Sequence, residues 1–309
     1  MLENATQSSI FSKMSMLRPY FYLFPLLLFV VIFLLYPTYY AFRASMMENY
    51  SIMTRTYSGY GLGNYRDILN DRFFLQAVRN TIAYVIVTVP ASIVASLFIA
   101  SILNGRYRGT ALFQTIFFLP MVTSVTAIGY AWRYMFNYRF GIINYLLAIF
   151  SVEPVNWLNS TATSIVVLCL YGTWSLIPFT TIVFLSSMQS INNKYYIIAR
   201  IDGAKSSMLF LRITLPLMIP TVFVMTLLNT VTTFKVFDEL FPLFLGRPGP
   251  FYNMYTIVYY IYEQMQGTSR YGFGRAAAAS VLLFSILLIS LLMVALVRRS
   301  ILDLRRGMR

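Results

Sequence analysis

These 309 residues point to an all-α polytopic membrane bundle of six transmembrane helices. Hydrophobic residues make up 58% of the chain and charged residues only 11%, against about 25% charged in a soluble domain. Mean hydropathy is +0.67. The charges are also unevenly spread, leaving six charge-free stretches of 22 or more residues. A crossing of ~30 Å of hydrocarbon needs ~20 mostly apolar residues, so each stretch marks a crossing.

A charge at the centre of a span costs roughly 2.5–3.5 kcal/mol on insertion scales, so the charge-free stretches map the spans. The first, between Arg18 and Arg43, predicts a helix over 20–42. It follows a polar amino-terminal segment and is read as a retained anchor, not a cleaved signal. The second and third, between Arg79 and Arg106 and between Arg108 and Arg133, predict helices over 80–104 and 110–132. The fourth stretch, Glu153 to Lys194, opens with the turn-prone NWLNSTATS and predicts a helix over 163–189. The fifth, Arg212 to Lys235, is too short for a centred span, so its helix is expected to start at Pro216 and run through Lys235 to 245. The sixth, Arg275 to Arg298, predicts a helix over 276–298. Short loops tie all six into one domain over 1–309.

Orientation follows from the loops. With both termini inside, the inner segments hold 13 basic residues and the longer outer segments ten, which favours N-in and C-in. The net charge of +14 is therefore mostly topological, and no nucleic-acid partner is expected. The absence of histidine excludes His-based catalysis, and the single Cys169 excludes an internal disulfide or a thiolate metal cluster. No metal site and no catalytic residues are expected.

Between the fourth and fifth spans lies the longest inner loop, 190–215. Tyr195, Ile198 and Ile201 recur at helical spacing, then Asp202-Gly203 marks a turn in which glycine permits φ > 0. A second short helix, 204–212, is expected to lead to Pro216. Two readings of this loop are open. It lies on anionic lipid through Lys194, Arg200, Lys205 and Arg212, or it projects as a knob that docks on a partner.

At this loop the sequence resembles the membrane permease subunits of binding-protein-dependent ABC importers, in the sugar permease branch of maltose and glycerol-phosphate type. Their signature is E-A-A, three residues, Gly, nine residues, then I-x-L-P. Here Ala199 is followed by Gly203 and, nine residues on, by Ile213-Thr214-Leu215-Pro216. LGNYRDIL (62–69), RNTIAY (79–84), FFLP (117–120), NWL (156–158) and GRPGP (246–250) extend the resemblance over nearly the whole chain. One departure stands out: Ile197 and Ile198 replace the glutamate and first alanine.

The resemblance implies that 190–215 is the coupling loop for an ABC ATPase dimer, with Ala199, Arg200, Asp202, Gly203, Ala204, Ile213 and Pro216 as its contact and shaping residues. It also implies a second, different permease subunit, an extracytoplasmic solute-binding protein, a multi-pass location in the bacterial inner membrane, and alternating access. ATP and Mg belong to the ATPase partner, since this chain has no G-x-x-x-x-G-K-[ST] loop and holds no cofactor of its own.

For the substrate path, Trp174 and Phe179 on the fourth span and Asn229, Thr232 and Thr233 on the fifth are candidates. The alternative for the last three is hydrogen bonding between helices. Lys235 and Asp238, further along, are also candidates, at a spacing that favours pairing on their own helix as the alternative. A sugar, oligosaccharide or polyol is the expected substrate, with an acidic saccharide or sugar phosphate also open because of the positive charge. An ion-coupled secondary transporter is the competing class; it needs acids within the bundle, and the expected spans hold only Asp238 and Glu239, near an outer end and beside Lys235.

Overall fold

The computed structural model describes residues 20–51, 54–105, 110–118, 121–267 and 272–307. Two compact units form, one from the chain up to Ile68 with Gln264–Val281, the other from Leu69–Glu263 with the chain from Leu282 onward.

The first unit begins with α1, Tyr20–Ser45. Its π-helical turn, Val31–Leu35, comes directly before Tyr36-Pro37. Proline lacks an N–H, and the wider i→i+5 register accommodates the missing bond without ending the helix. A short hairpin follows, in which β1 (Met47–Glu48) pairs antiparallel with β2 (Gly59–Tyr60). Helix α2, Gly63–Leu69, carries most of the LGNYRDIL motif. Its buried Asn64 donates to the carbonyls of Ser45 at 3.0 Å and Met47 at 2.8 Å, and the Glu48 carboxylate accepts from the Gly63 N–H at 2.9 Å. On the other side Asp67 pairs with Arg275 at 2.8 Å. That pair is about half exposed, so the buried Asn64 and Ile68 fix the segment more than the ion pair does.

The second unit opens with α3, Arg72–Leu103, capped by Asp71, whose carboxylate accepts from the Phe73 N–H at 2.9 Å. Next come α4 (Thr110–Phe118), α5 (Val125–Met135), α6 (Ile142–Ile149), α7 (Ser164–Gln189), α8 (Asn193–Ile201), α9 (Ser206–Phe234), α10 (Leu240–Phe244) and α11 (Ile257–Gln266). Helix α12, Gly272–Gly307, gives its first turns to the first unit and the rest to the second. Ala276 to Ala279 are buried, so its small-residue start is a packing surface. The core of the second unit is the packing of α3 on α7 and α9, where Ile93, Ala100, Phe184, Leu185, Met188, Met218 and Met225 are closed off from solvent.

Among the described residues, five helices are long and apolar enough to cross a membrane: α1, α3, α7, α9 and α12. The sequence expectation of six unbroken spans therefore needs two corrections. The expected 110–132 helix is two pieces, α4 and α5, with non-helical backbone over 122–124. Pro120 falls at this break, outside the described residues, and proline and its preceding residue both disfavour helix continuation.

The expected 216–245 helix begins ten residues earlier, at Ser206, and ends at Phe234 with Lys235 as its C-cap. No separate helix over 204–212 forms. A π-helical turn, Phe210–Thr214, precedes Pro216, repeating the solution seen at Pro37. Lys235 and Asp238 thus lie off the helix, and neither forms an ion pair among the described residues. The i,i+3 pairing fails because it requires helical geometry that ends before Lys235. Elsewhere α3 starts at Arg72 and α12 continues to Gly307, since charged residues end the apolar span but not the helix.

Candidate functional site

The loop after α7 builds a projecting knob. Asn192 caps α8 by accepting from the Lys194 N–H at 3.0 Å. The helix ends where Gly203 takes φ +80° and the Ala204 N–H donates to the Ala199 carbonyl at 2.9 Å, a left-handed C-terminal closure. An added Cβ at Gly203 would meet no atom within 4 Å, so it is backbone conformation and not space that requires glycine.

On α8, Tyr195, Ile197, Ile198 and Ile201 are all exposed, Ile201 to 80%. This apolar face is covered by nothing among the described residues. The Tyr196 hydroxyl meets the buried Thr214 hydroxyl at 2.9 Å and ties α8 to the start of α9.

The expected coupling residues come together here. Ala199, Asp202, Gly203, Ala204 and Ile213 line one concavity of about 300 Å³, with Met208 and Arg212 completing its wall. Arg200 faces a larger cavity of about 970 Å³ with Asn193, Tyr196 and Thr214. Pro216 lies within the continuous helix just past the π-helical turn, where it shapes the entry of α9.

The candidate path residues are not gathered in one place. Asn229 is 3% exposed, and its amide donates to the Ser92 hydroxyl of α3 at 3.2 Å and to Thr180 of α7 at 3.1 Å. Thr233 is also buried and donates to the Asn229 carbonyl at 2.6 Å. These groups join three helices. Thr232 and Phe179 are exposed on their helices, and Trp174 packs against Trp132 and Tyr171. Asp238 is exposed and lines a cavity of about 410 Å³ with Ser124, Thr126, Phe237, Phe241 and Tyr262.

Lys235 is exposed at the end of α9. Desolvation pushes the partly buried Glu239 carboxyl up, opposed by backbone N–H groups at Glu239 and Phe237. Asn229→Ala is expected to lower the unfolding midpoint of the detergent-solubilised protein, by an amount equivalent to about 0.6–1.7 kcal/mol, as thermal denaturation would measure.

At the end of the second unit away from the knob, a network unseen in the sequence holds the chain after α10. Asn253 accepts from Gln76 at 2.8 Å and donates to the Thr161 carbonyl at 2.9 Å, while Asn80 donates to the carbonyls of Asn253 and Tyr255. The Tyr259 hydroxyl donates to the Gly246 carbonyl at 3.0 Å. Burial and the Glu263 carboxylate, which accepts from its hydroxyl at 2.5 Å, push Tyr255 well up. A second hub, Asn144, accepts from the Trp157 indole at 2.8 Å and fixes the NWL segment. The sequence signal for these hubs was an amide side chain beside turn residues, too common to single out.

Apolar helices of membrane-spanning length, polar pins between them, and an exposed apolar helix at one end define a multi-pass membrane protein. The chain belongs to the family of binding-protein-dependent transport system inner membrane components, whose model matches residues 58–303. It is 30% identical over 265 residues to the trehalose/maltose transport system permease protein MalF of Thermococcus litoralis, covering 86% of this chain and 88% of that one. It is 32% identical over 241 residues to the lactose transport system permease protein LacF of Rhizobium radiobacter, covering 77% and 80%. Its fold is similar to that in a crystal structure of a bacterial ABC transporter that imports the acidic polysaccharide alginate, with TM-score 0.79, 22% identity, and coverage of 95% of this chain and 99% of that one.

Proposed function

We propose that this chain is the permease subunit of an ATP-driven importer that carries a saccharide across the bacterial inner membrane. Six crossings, with α4 and α5 together making the third, leave both termini and the knob inside. The observation that carries the reading is α8: an exposed apolar helix closed by a left-handed Gly203, at the spacing of a coupling loop. An ABC ATPase dimer, holding ATP and Mg, grips this knob. A second, different permease subunit supplies the other half of the path, and lipid meets the outward apolar faces, α1 above all.

ATPase closure pushes α8, the continuous α9 carries the motion along its length, and the bundle opens alternately to each side. The saccharide class is supported by the relatives, whose names specify trehalose/maltose, lactose and arabino-oligosaccharides. The binding-protein partner is supported by the family and by a second alginate importer structure, solved with a saccharide-bound periplasmic protein.

Co-expression with a cognate ATPase and second permease should yield a stable complex. In proteoliposomes, uptake should require both ATP and the binding protein. Uptake driven by an ion gradient without ATP would refute the reading.

A further inference from the structure

A cavity of about 550 Å³ lies at the end of the second unit opposite the knob, lined by Arg133, Asn159, Arg247, Phe251 and Tyr252 among others. We propose that this cavity is an entry site for an acidic saccharide, with the two guanidinium groups receiving a carboxylate and the two aromatic rings flanking the sugar. The proposal rests on the importer reading above and narrows its substrate class.

Charge is the first argument. Two guanidinium groups line the cavity and no carboxylate does. Arg133 donates to the Leu243 carbonyl at 2.7 Å and, among the described residues, makes no ion pair. Arg247 is exposed and forms no ion pair among the described residues. A planar guanidinium binds a carboxylate through two parallel charge-assisted hydrogen bonds, whereas the hydroxyl groups of a neutral sugar accept from it without the opposing charge.

Shape is the second argument. The volume lies inside the ~300–1,000 Å³ range of small-molecule sites. Phe251 is 87% exposed and Tyr252 56%, an arrangement that burial alone would not select. Their backbones are also strained: Leu245, Phe251 and Tyr252 take φ of 57°, 51° and 60° without being glycine. Such strain persists only where surrounding contacts enforce it, and here Asn253 and the Tyr259–Gly246 bond do so. Aromatic faces held in this way offer apolar surface to the C–H face of a sugar ring, while Asn159 adds an amide for hydroxyl groups. A cavity lined by two rings and an amide suits a sugar ring better than a single acidic side chain of a docking protein, which needs only the guanidinium groups.

The test uses the assembled importer in lipid nanodiscs, first without binding protein, titrated calorimetrically with digalacturonate and with neutral cellobiose. Digalacturonate should bind more tightly than cellobiose. Arg247→Gln should weaken digalacturonate by about tenfold, the loss of one charge-assisted contact, and leave cellobiose unchanged. Phe251→Ala should weaken both. Arg247 and Phe251 are exposed, so neither variant depends on repacking the fold.

Equal binding of the two sugars, or unchanged digalacturonate binding by Arg247→Gln, overturns the proposal. So does an Arg247→Gln complex that keeps its digalacturonate affinity but loses the binding protein, which assigns the guanidinium groups to a protein carboxylate. ATP-dependent uptake of neutral sugars alongside any of these results leaves the importer reading standing and removes only the acidic site.

Discussion

Gly203→Asp is expected to reduce ATP-dependent uptake to background while the protein still inserts and accumulates in the membrane. At φ +80° an L-residue brings its Cβ against the backbone, at a cost of about 1–2 kcal/mol. No atom lies within 4 Å of that Cβ, so nothing in the core is displaced and insertion is spared. The penalty is relieved locally by unwinding the end of α8, which carries Ile201 and Ile198 with it and disperses the apolar face. A new carboxylate beside Asp202 adds repulsion inside the same concavity.

Asparagine tolerates the left-handed region and carries no charge, so Gly203→Asn should keep more uptake than either Gly203→Asp or Gly203→Val. The measurement is uptake per inserted subunit, with co-purification of the ATPase as second readout. Wild-type uptake by Gly203→Asp, or loss of the protein from the membrane, would remove the docking argument.

The knob was legible because its signals are local. Periodicity, a glycine in a turn and a proline at fixed spacing all lie within one stretch of chain. The spans were legible for a different reason: a charge inside hydrocarbon is so unfavourable that its absence locates a crossing.

That rule places a crossing but says nothing about where helical backbone stops. Hence the third span broke near Pro120 without a signal in the charge map, whereas the fifth ended at Lys235, where its charge-free stretch stops, because its helix gains length at the other end from Ser206. The charged cluster at 235–239 looked like an exception within a span, and it is a turn after one. The arginine-lined cavity was invisible for another reason. It joins Arg133, Asn159 and 245–252, which only the packing of α5 and α10 and the Asn253 hub bring together. Asn229 shows the remaining ambiguity, since one polar residue in an apolar helix fits a substrate contact and a helix pin equally well until its partners are known.

Gly172→Val is expected to have the larger effect on folding, with most of the protein lost before any complex forms. Gly172 lies in α7 where the helix crosses α3, and an added Cβ would overlap the hydroxyl and ring of Tyr84. Tyr84 is itself buried, so its ring is packed against neighbours and not free in solvent. Overfilling a packed core costs about 1–3 kcal/mol when neighbours can shift. Here the neighbour is a rigid ring in the main helix contact of the unit, so valine should exceed that range.

The paired variant separates this cause from a general dislike of substitution. Gly172→Ala should be destabilised, and Tyr84→Phe should recover part of the loss by removing the oxygen that the new methyl meets, a coupling that thermal denaturation of the two singles and the double can measure. Strict additivity of the three, or a Gly172→Val protein as stable as wild type, would show that α3 and α7 are not in close contact at this point. Gly203 and Gly172 are then distinguished by where they fail. One variant reaches the membrane and cannot be driven; the other does not assemble the bundle that driving requires.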